Sequence, residues 1–265
     1  NHVITYVPSL DLYVDSTAQF AAVGTLPTGD SDKPVIITAT GELKRTPRQA
    51  PTRDGVRVSS RMSMLADGRI KGQSAMHYRG TYAIDSRQAW HDRQHKDPQN
   101  TVDWMLNRNK ESGTGHFKYG NPLDLNTEWV VNSFYELDEI ANIPGQSAFT
   151  LPYGLTLATI FHTSAYRQLT DRVTPFKCDL YNIEETTELK LPAKVAIDRI
   201  PTDAFYNEGG IHYSASYTRK GQVLRVNRRL LIDFGKTVCD QADAKLWEKA
   251  RLAVRRDVRS QVFVR

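Results

Sequence analysis

Apolar and polar residues alternate along much of this chain with the two-residue period of a strand. Val56, Val58, Met62 and Met64 fall on one side of a run whose other side is Arg57, Ser59, Arg61 and Ser63, the pattern of a strand with one buried face. Asp67-Gly68 then turns the chain, and alternation resumes with Ile70, Met76 and Tyr78, continuing to Tyr82 and Ile84. Trp129, Val131, Tyr135 and Leu137 make another such face, and strands are predicted over residues 176–180, 211–217 and 223–234, the last two joined at Arg219-Lys220-Gly221. Helical signals interrupt this order twice. Ser86 is a candidate cap for one polar-faced helix, and Asp97-Pro98 fits the cap and first turn of a second one containing Val102, Met105 and Leu106. Leu246, Ala250, Leu252, Ala253 and Val254 recur at helical spacing after a cap at Asp240 or Asp243, and residues 261–265 suit a last strand. The pattern predicts a mainly β fold: an antiparallel, β-sandwich-like domain with a helical insertion and a C-terminal helix.

Ahead of that body lies a shorter head. Residues 1–16 alternate as two strand arms around Pro8-Ser9, residues 18–34 carry Gly24, Pro27, Gly29 and Pro34 and suit a loop, and residues 35–38 suit a short strand. Pro47 and Pro51, among several charges, mark 46–54 as a linker. The chain therefore divides into a head at 1–45, a linker at 46–54 and a body at 55–265.

Composition narrows the classes of function. The 265 residues are 40% hydrophobic and 25% charged, which excludes collagen-like, low-complexity and wholly disordered chains. Two cysteines are too few for a disulfide scaffold or a four-thiolate zinc site. Residues 141–166 carry no charge after Glu139 until Arg167, but Pro144, Gly145, Pro152 and Gly154 break the stretch, so it does not suit a bilayer-spanning helix. Its aromatics Phe149, Tyr153 and Phe161 make it a candidate contact region, the alternative being a strand and loop packed on the body. The net charge of +5 is mild. Arg225, Arg228 and Arg229, and Arg251, Arg255, Arg256 and Arg259, form basic clusters, but Asp233 and Asp257 interrupt them without aromatic interleaving, so no nucleic-acid partner is expected. His91 and His95 have metal-binding spacing on a predicted helix, in surroundings that suit a solvated face better. His77 and His212 fall on polar strand sides, and His116 and His162 in or near loops. No metal or cofactor is called for.

The head carries the sharpest chemistry. A two-residue turn at Pro8-Ser9 pairs Val7 with Leu10 and so sets His2 opposite Asp15, with Cβ atoms about 5 Å apart. A carboxylate on one imidazole nitrogen fixes the tautomer and stabilises the imidazolium, as a general base beside a nucleophile requires. The same spacing also suits an ordinary surface pair.

Asn1-His2-Val3-Ile4, followed by Leu12-Tyr13-Val14-Asp15-Ser16-Thr17, resembles the end of a transglutaminase-like domain. In that family a Cys on a helix N-terminus precedes a His on one strand and an Asp on the next. Nearly the whole chain is similar to the C-terminal part of large bacterial proteins of that class, whose catalytic domain is flanked by uncharacterised β domains. Asn121-Pro122-Leu123-Asp124-Leu125, Glu188-Leu189-Lys190-Leu191-Pro192 and the run from Arg256 to Val262 carry the rest of the likeness. Ser16 stands where the family usually has Pro. The resemblance implies that the head is a β remnant of the catalytic domain, with His2 as base and Asp15 as its orienter. It also implies a Cys-His-Asp acyl-transfer or amidase parent, a protein or peptide substrate, and a periplasmic or otherwise exported location.

The family's nucleophile precedes its His, and here only Asn1 does. Cys178 points with Phe176 and Leu180 toward the core, and Cys239 stands near the start of the terminal helix. In an exported protein the two are able to pair. The expectation is a fragment inactive by itself, whose partner is the rest of the parent chain. The alternative is a non-catalytic β module binding protein or glycan in the cell envelope.

Overall fold

The computed structural model describes residues 2–157, 159–166 and 173–265; Asn1 and Ala158, which belong to stretches singled out above, lie outside them. In chain order the strands and helices are β1 (Thr5–Val7), β2 (Leu12–Val14), β3 (Pro34–Ile37), β4 (Glu42–Arg45), β5 (Gly55–Met64), β6 (Ile70–Arg79), α1 (Thr81–His91), α2 (Pro98–Asn109), β7 (Gly113–Tyr119), β8 (Trp129–Leu137) and β9 (Ser147–Phe149). Then follow α3 (Ile160–Tyr166), β10 (Phe176–Lys177), β11 (Tyr181–Lys190), β12 (Ile197–Arg199), β13 (Ala204–Glu208), β14 (Ile211–Lys220), β15 (Val223–Ile232), β16 (Val238–Cys239), α4 (Gln241–Val258) and β17 (Val262–Val264).

Eight strands form one sheet in the order β13-β14-β15-β11-β5-β6-β8-β7. Every neighbouring pair is antiparallel except β11 and β5, which run parallel, so the sheet is mixed. The alternation seen in the sequence decides which face is buried: Val56, Val58, Met62, Ile70, Met76, Trp129, Val131, Leu189, Leu224 and Leu230 all enter the core. Against them pack the four helices and a three-stranded sheet, β12-β17-β9, whose Phe149, Ile197, Val262 and Val264 join the same cluster. The body is thus mainly β and sandwich-like, with a helical insertion (α1 and α2) and a C-terminal helix.

Phe149 is 4% exposed and pairs with Val262, while Tyr153 stacks on Phe161 at 4.8 Å. Over its described residues the uncharged stretch comprises β9, a loop and α3, and its aromatics pack on the body rather than forming a free contact surface. Among the described residues no helix is long and apolar enough to cross a membrane.

Local chemistry explains where element boundaries depart from expectation. The strand begun at Ile70 ends at Arg79, and Tyr82 and Ile84 belong to α1. Gly80 turns the chain at φ 58°, and a Cβ there would meet Asp54 Oδ1 at 2.1 Å, so glycine is required. The same Oδ1 accepts the Thr81 amide at 2.9 Å and satisfies the start of α1 from a distant segment. Ser86 is therefore not a cap; its hydroxyl accepts from Trp129 Nε1 at 2.9 Å. α2 and α4 start as their sequences predict. Asp97 caps α2 with Pro98 in the first turn, and Asp240 and Asp243 form a reciprocal capping box on α4.

The head contains two ribbons, β1-β2 and β3-β4. Its first turn is longer than two residues. Pro8–Leu10 form a 3-10 turn, Asp11 adopts φ 45°, and Val7 pairs with Leu12. Two-residue hairpin turns need a positive φ at their first central position, which proline cannot adopt. The register therefore differs by two from that expected. The head and the linker segment also bond to the body: Lys177 Nζ donates to Thr28 O at 2.8 Å, Gln49 Nε2 donates to Thr81 Oγ1 at 2.8 Å, and Arg48 pairs with Asp233.

Candidate functional site

His2 and Asp15 lie outside the paired residues of the hairpin, which end at Thr5 and Val14, and their side chains meet beyond its open end. His2 Nε2 lies 3.1 Å from Asp15 Oδ2. The other carboxylate oxygen, Oδ1, accepts the Thr17 amide at 2.9 Å and the Thr17 hydroxyl at 2.7 Å, a local turn in which an aspartate holds the chain two residues on. Asp15 is buried, while His2 remains exposed. Burial raises the Asp15 carboxyl, but the bonds from Thr17, His2 and Asp30 outweigh it and hold the group below the ordinary carboxylate value.

Asp30 is the member of this site that sequence inspection missed. Its Oδ2 stands 3.8 Å from His2 Nε2, and it hydrogen-bonds Asp15. Burial, followed by the neighbouring Asp15 carboxyl, raises its pKa. It comes from the Gly-Pro-rich loop, where no periodicity foretells a contact 15 residues from Asp15. His2, Asp15 and Asp30 present ligand atoms within 4.8 Å of one another, an imidazole-dicarboxylate set of a kind that divalent cations use.

The three line a depression of about 490 Å³ where the head meets α1, its other walls including Phe20, Ile84, Asp85 and Gln88. Burial raises the Asp85 carboxyl. With Nε2 on Asp15, Nδ1 is the imidazole nitrogen left to meet a reacting group.

No thiol joins this site from within the chain. Cys178 and Cys239 form a disulfide, with Cα atoms 5.2 Å apart, where β10 pairs with β16. The remaining histidines are dispersed. α1 ends at His91, so His95 does not share its helix, and the His91 ring meets Phe20 at a tilt of 57° with centroids 5.3 Å apart. His77 faces Glu128 at 2.9 Å, and His212 is exposed on β14. His116 is on a strand, β7, and stacks on Phe134. His162 is buried in α3, where its Nδ1 meets Thr159 Oγ1 at 2.9 Å; burial and then Arg108 push its pKa down to about 4.

The basic clusters divide similarly. Arg228 is buried against Asp257 at 2.7 Å, with Tyr213 and Tyr217 donating to the same carboxylate, and Arg251 pairs with Glu248 at 2.7 Å. Arg225 and Arg229 stay on the open sheet face.

Comparison with protein-family models, curated proteins and solved structures found no match for this chain. Functional assignment therefore rests on the geometry and on the motif residues around His2 and Asp15.

Proposed function

We propose that His2 and Asp15 are the base and its orienter in a transglutaminase-like thiol acyl-transfer site, with the thiol supplied from outside these 265 residues. The observation that carries this reading is the 3.1 Å contact between His2 Nε2 and the Thr17-braced Asp15 carboxylate at the rim of an open depression.

In this scheme His2 Nδ1 takes the thiol proton as sulfur attacks an amide carbonyl carbon. The imidazolium, stabilised by Asp15, gives that proton to the departing amine and leaves a thioester. Water or a second amine then attacks the thioester, His2 accepts its proton, and the thiol is regenerated by its return to sulfur. Both cysteines of the chain are tied to one another, so the chain alone is inactive in this reading. The disulfide supports an oxidising, exported setting.

The test compares the chain alone with the product of the complete reading frame, assayed for amine incorporation into casein and for amide hydrolysis. Support is activity in the complete product that iodoacetamide and His2→Ala each abolish, with none in the isolated chain. Activity in the isolated chain, or a complete product with no cysteine beyond Cys178 and Cys239, refutes it.

A further inference from the structure

One face of the eight-stranded sheet carries a charge pattern laid out by strand register. A row crosses six strands through Arg225, Glu188, Arg61, Gln73, Phe134 and His116, each aligned with the next. Four residues along, Arg229, Glu184 and Arg57 form a parallel row. Between them runs a neutral row, Asn227, Thr186 and Ser59, in which Thr186 Oγ1 donates to Asn227 Oδ1 at 3.0 Å. Each glutamate faces two arginines, at 3.1 and 3.8 Å for Glu184 and at 3.4 and 3.8 Å for Glu188. One positive charge is thus left over in each row, and the rows are about 13 Å apart at the rise of a strand. The arginine side chains are 53–77% exposed, so these pairs contribute little to stability.

The first row ends on an aromatic platform. His116 stacks on Phe134 with centroids 5.1 Å apart and planes 18° from parallel. Two depressions, of about 470 and 300 Å³, share Arg61, Gln73 and Phe134 as walls; Lys71 and Ser63 border the first, Ser59 and Asn132 the second.

We infer that this face binds an acidic polysaccharide, with sugar rings seated on Phe134 and spaced carboxylates meeting the arginine rows. Charge spacing selects this class. In duplex DNA each strand carries one negative charge per about 3.4 Å of axis, which would set phosphates against Glu184 and Glu188. A uronate polymer with a neutral sugar between acidic ones matches single positive charges separated by a hydroxyl-and-amide row. Its C–H face suits the Phe134 ring, and its hydroxyls suit Gln73, Asn132 and Ser59. The inference is independent of the acyl-transfer reading, because the rows share no residue with the His2 site.

Affinity electrophoresis of the full chain in gels containing hyaluronan, with dextran as the neutral control, tests it. Retardation by hyaluronan but not dextran is expected, with the apparent Kd raised at least tenfold in Arg61→Gln and in Phe134→Ala. Circular dichroism and the urea midpoint check that each variant remains folded; Arg61→Gln alters only an exposed side chain and keeps the test open if Phe134→Ala unfolds. Absence of retardation at low salt, or equal retardation of wild type and Arg61→Gln, overturns the inference. Displacement of hyaluronan by a tighter-binding oligothymidylate also overturns it and assigns the face to single-stranded nucleic acid.

Discussion

His2 and Asp15 meet across a hairpin in which they are not cross-strand partners: Val7 pairs with Leu12, yet His2 Nε2 and Asp15 Oδ2 are 3.1 Å apart. What holds Asp15 for this contact is Thr17, through both its amide and its hydroxyl. Thr17→Val removes the hydroxyl bond and should move the Asp15 carboxyl upward toward its ordinary value. Carbon-13 NMR titration of that carboxyl reads the shift, and an unmoved pKa would rule out Thr17 as the brace. A depressed folded pKa contributes stability that is complete above the unfolded value and is lost as pH falls through the folded one. The variant should therefore lose part of its neutral-pH advantage and show a weaker acid transition from this group.

Much of the sheet was legible because one-sided burial prints itself on a strand. Val56, Val58, Met62 and Met64, and Trp129, Val131, Tyr135 and Leu137, all enter the core, with only Ser60 and Ser133 breaking the apolar side of the two strands. Asp97 and Asp240 were legible as caps because capping is local chemistry. Ser86 misled, since α1 takes its terminal acceptor from Asp54, 27 residues before Thr81. The His2–Asp15 contact lies beyond the paired residues 5–7 and 12–14, so the register error of two did not decide it. Asp30 and the parallel β5–β11 pairing depend on long-range chain paths, for which alternation and spacing carry no signal.

Glu111 should make stability fall through the neutral range. Its carboxylate accepts the Tyr153 and Gly154 amides at 2.7 and 2.9 Å, but burial outweighs these bonds and raises its pKa to about 7. Because the folded pKa lies above the unfolded one, the folded state binds the proton more tightly, and stability declines as pH rises from about 4.5 to 7. The shift corresponds to about 3 kcal/mol as an upper figure. Urea midpoints at pH 5 and pH 8 should differ in wild type and much less in Glu111→Gln. Equal pH dependence in the two proteins would remove Glu111 as the cause.

Arg228 is buried with its charge matched by Asp257, whose oxygens also accept Tyr213 and Tyr217. Asp257→Asn removes the carboxylate hydrogen-bonded to the guanidinium, leaving Glu185 as its remaining acidic neighbour, and should cost about 3–5 kcal/mol. Arg228→Met combined with Asp257→Leu removes both charges and should be markedly less damaging than the single change. Urea unfolding of the two variants decides this, and a double variant as unstable as Asp257→Asn would show that the pair is needed for packing rather than for charge balance.

The Cys178–Cys239 bond closes a separation of 61 residues immediately ahead of α4. Constraint of the unfolded chain by a loop of that length corresponds to about 4 kcal/mol. Dithiothreitol should lower the urea midpoint of wild type accordingly, and the Cys178→Ser/Cys239→Ser protein should be equally weak with or without reductant. Thiol titration of the unreduced, denatured protein should find no free sulfhydryl. Two free thiols, with a midpoint indifferent to dithiothreitol, would mean that the bond is not made. The chain would then hold two thiols of its own, and the argument that the acyl-transfer nucleophile comes from outside it would lose its support.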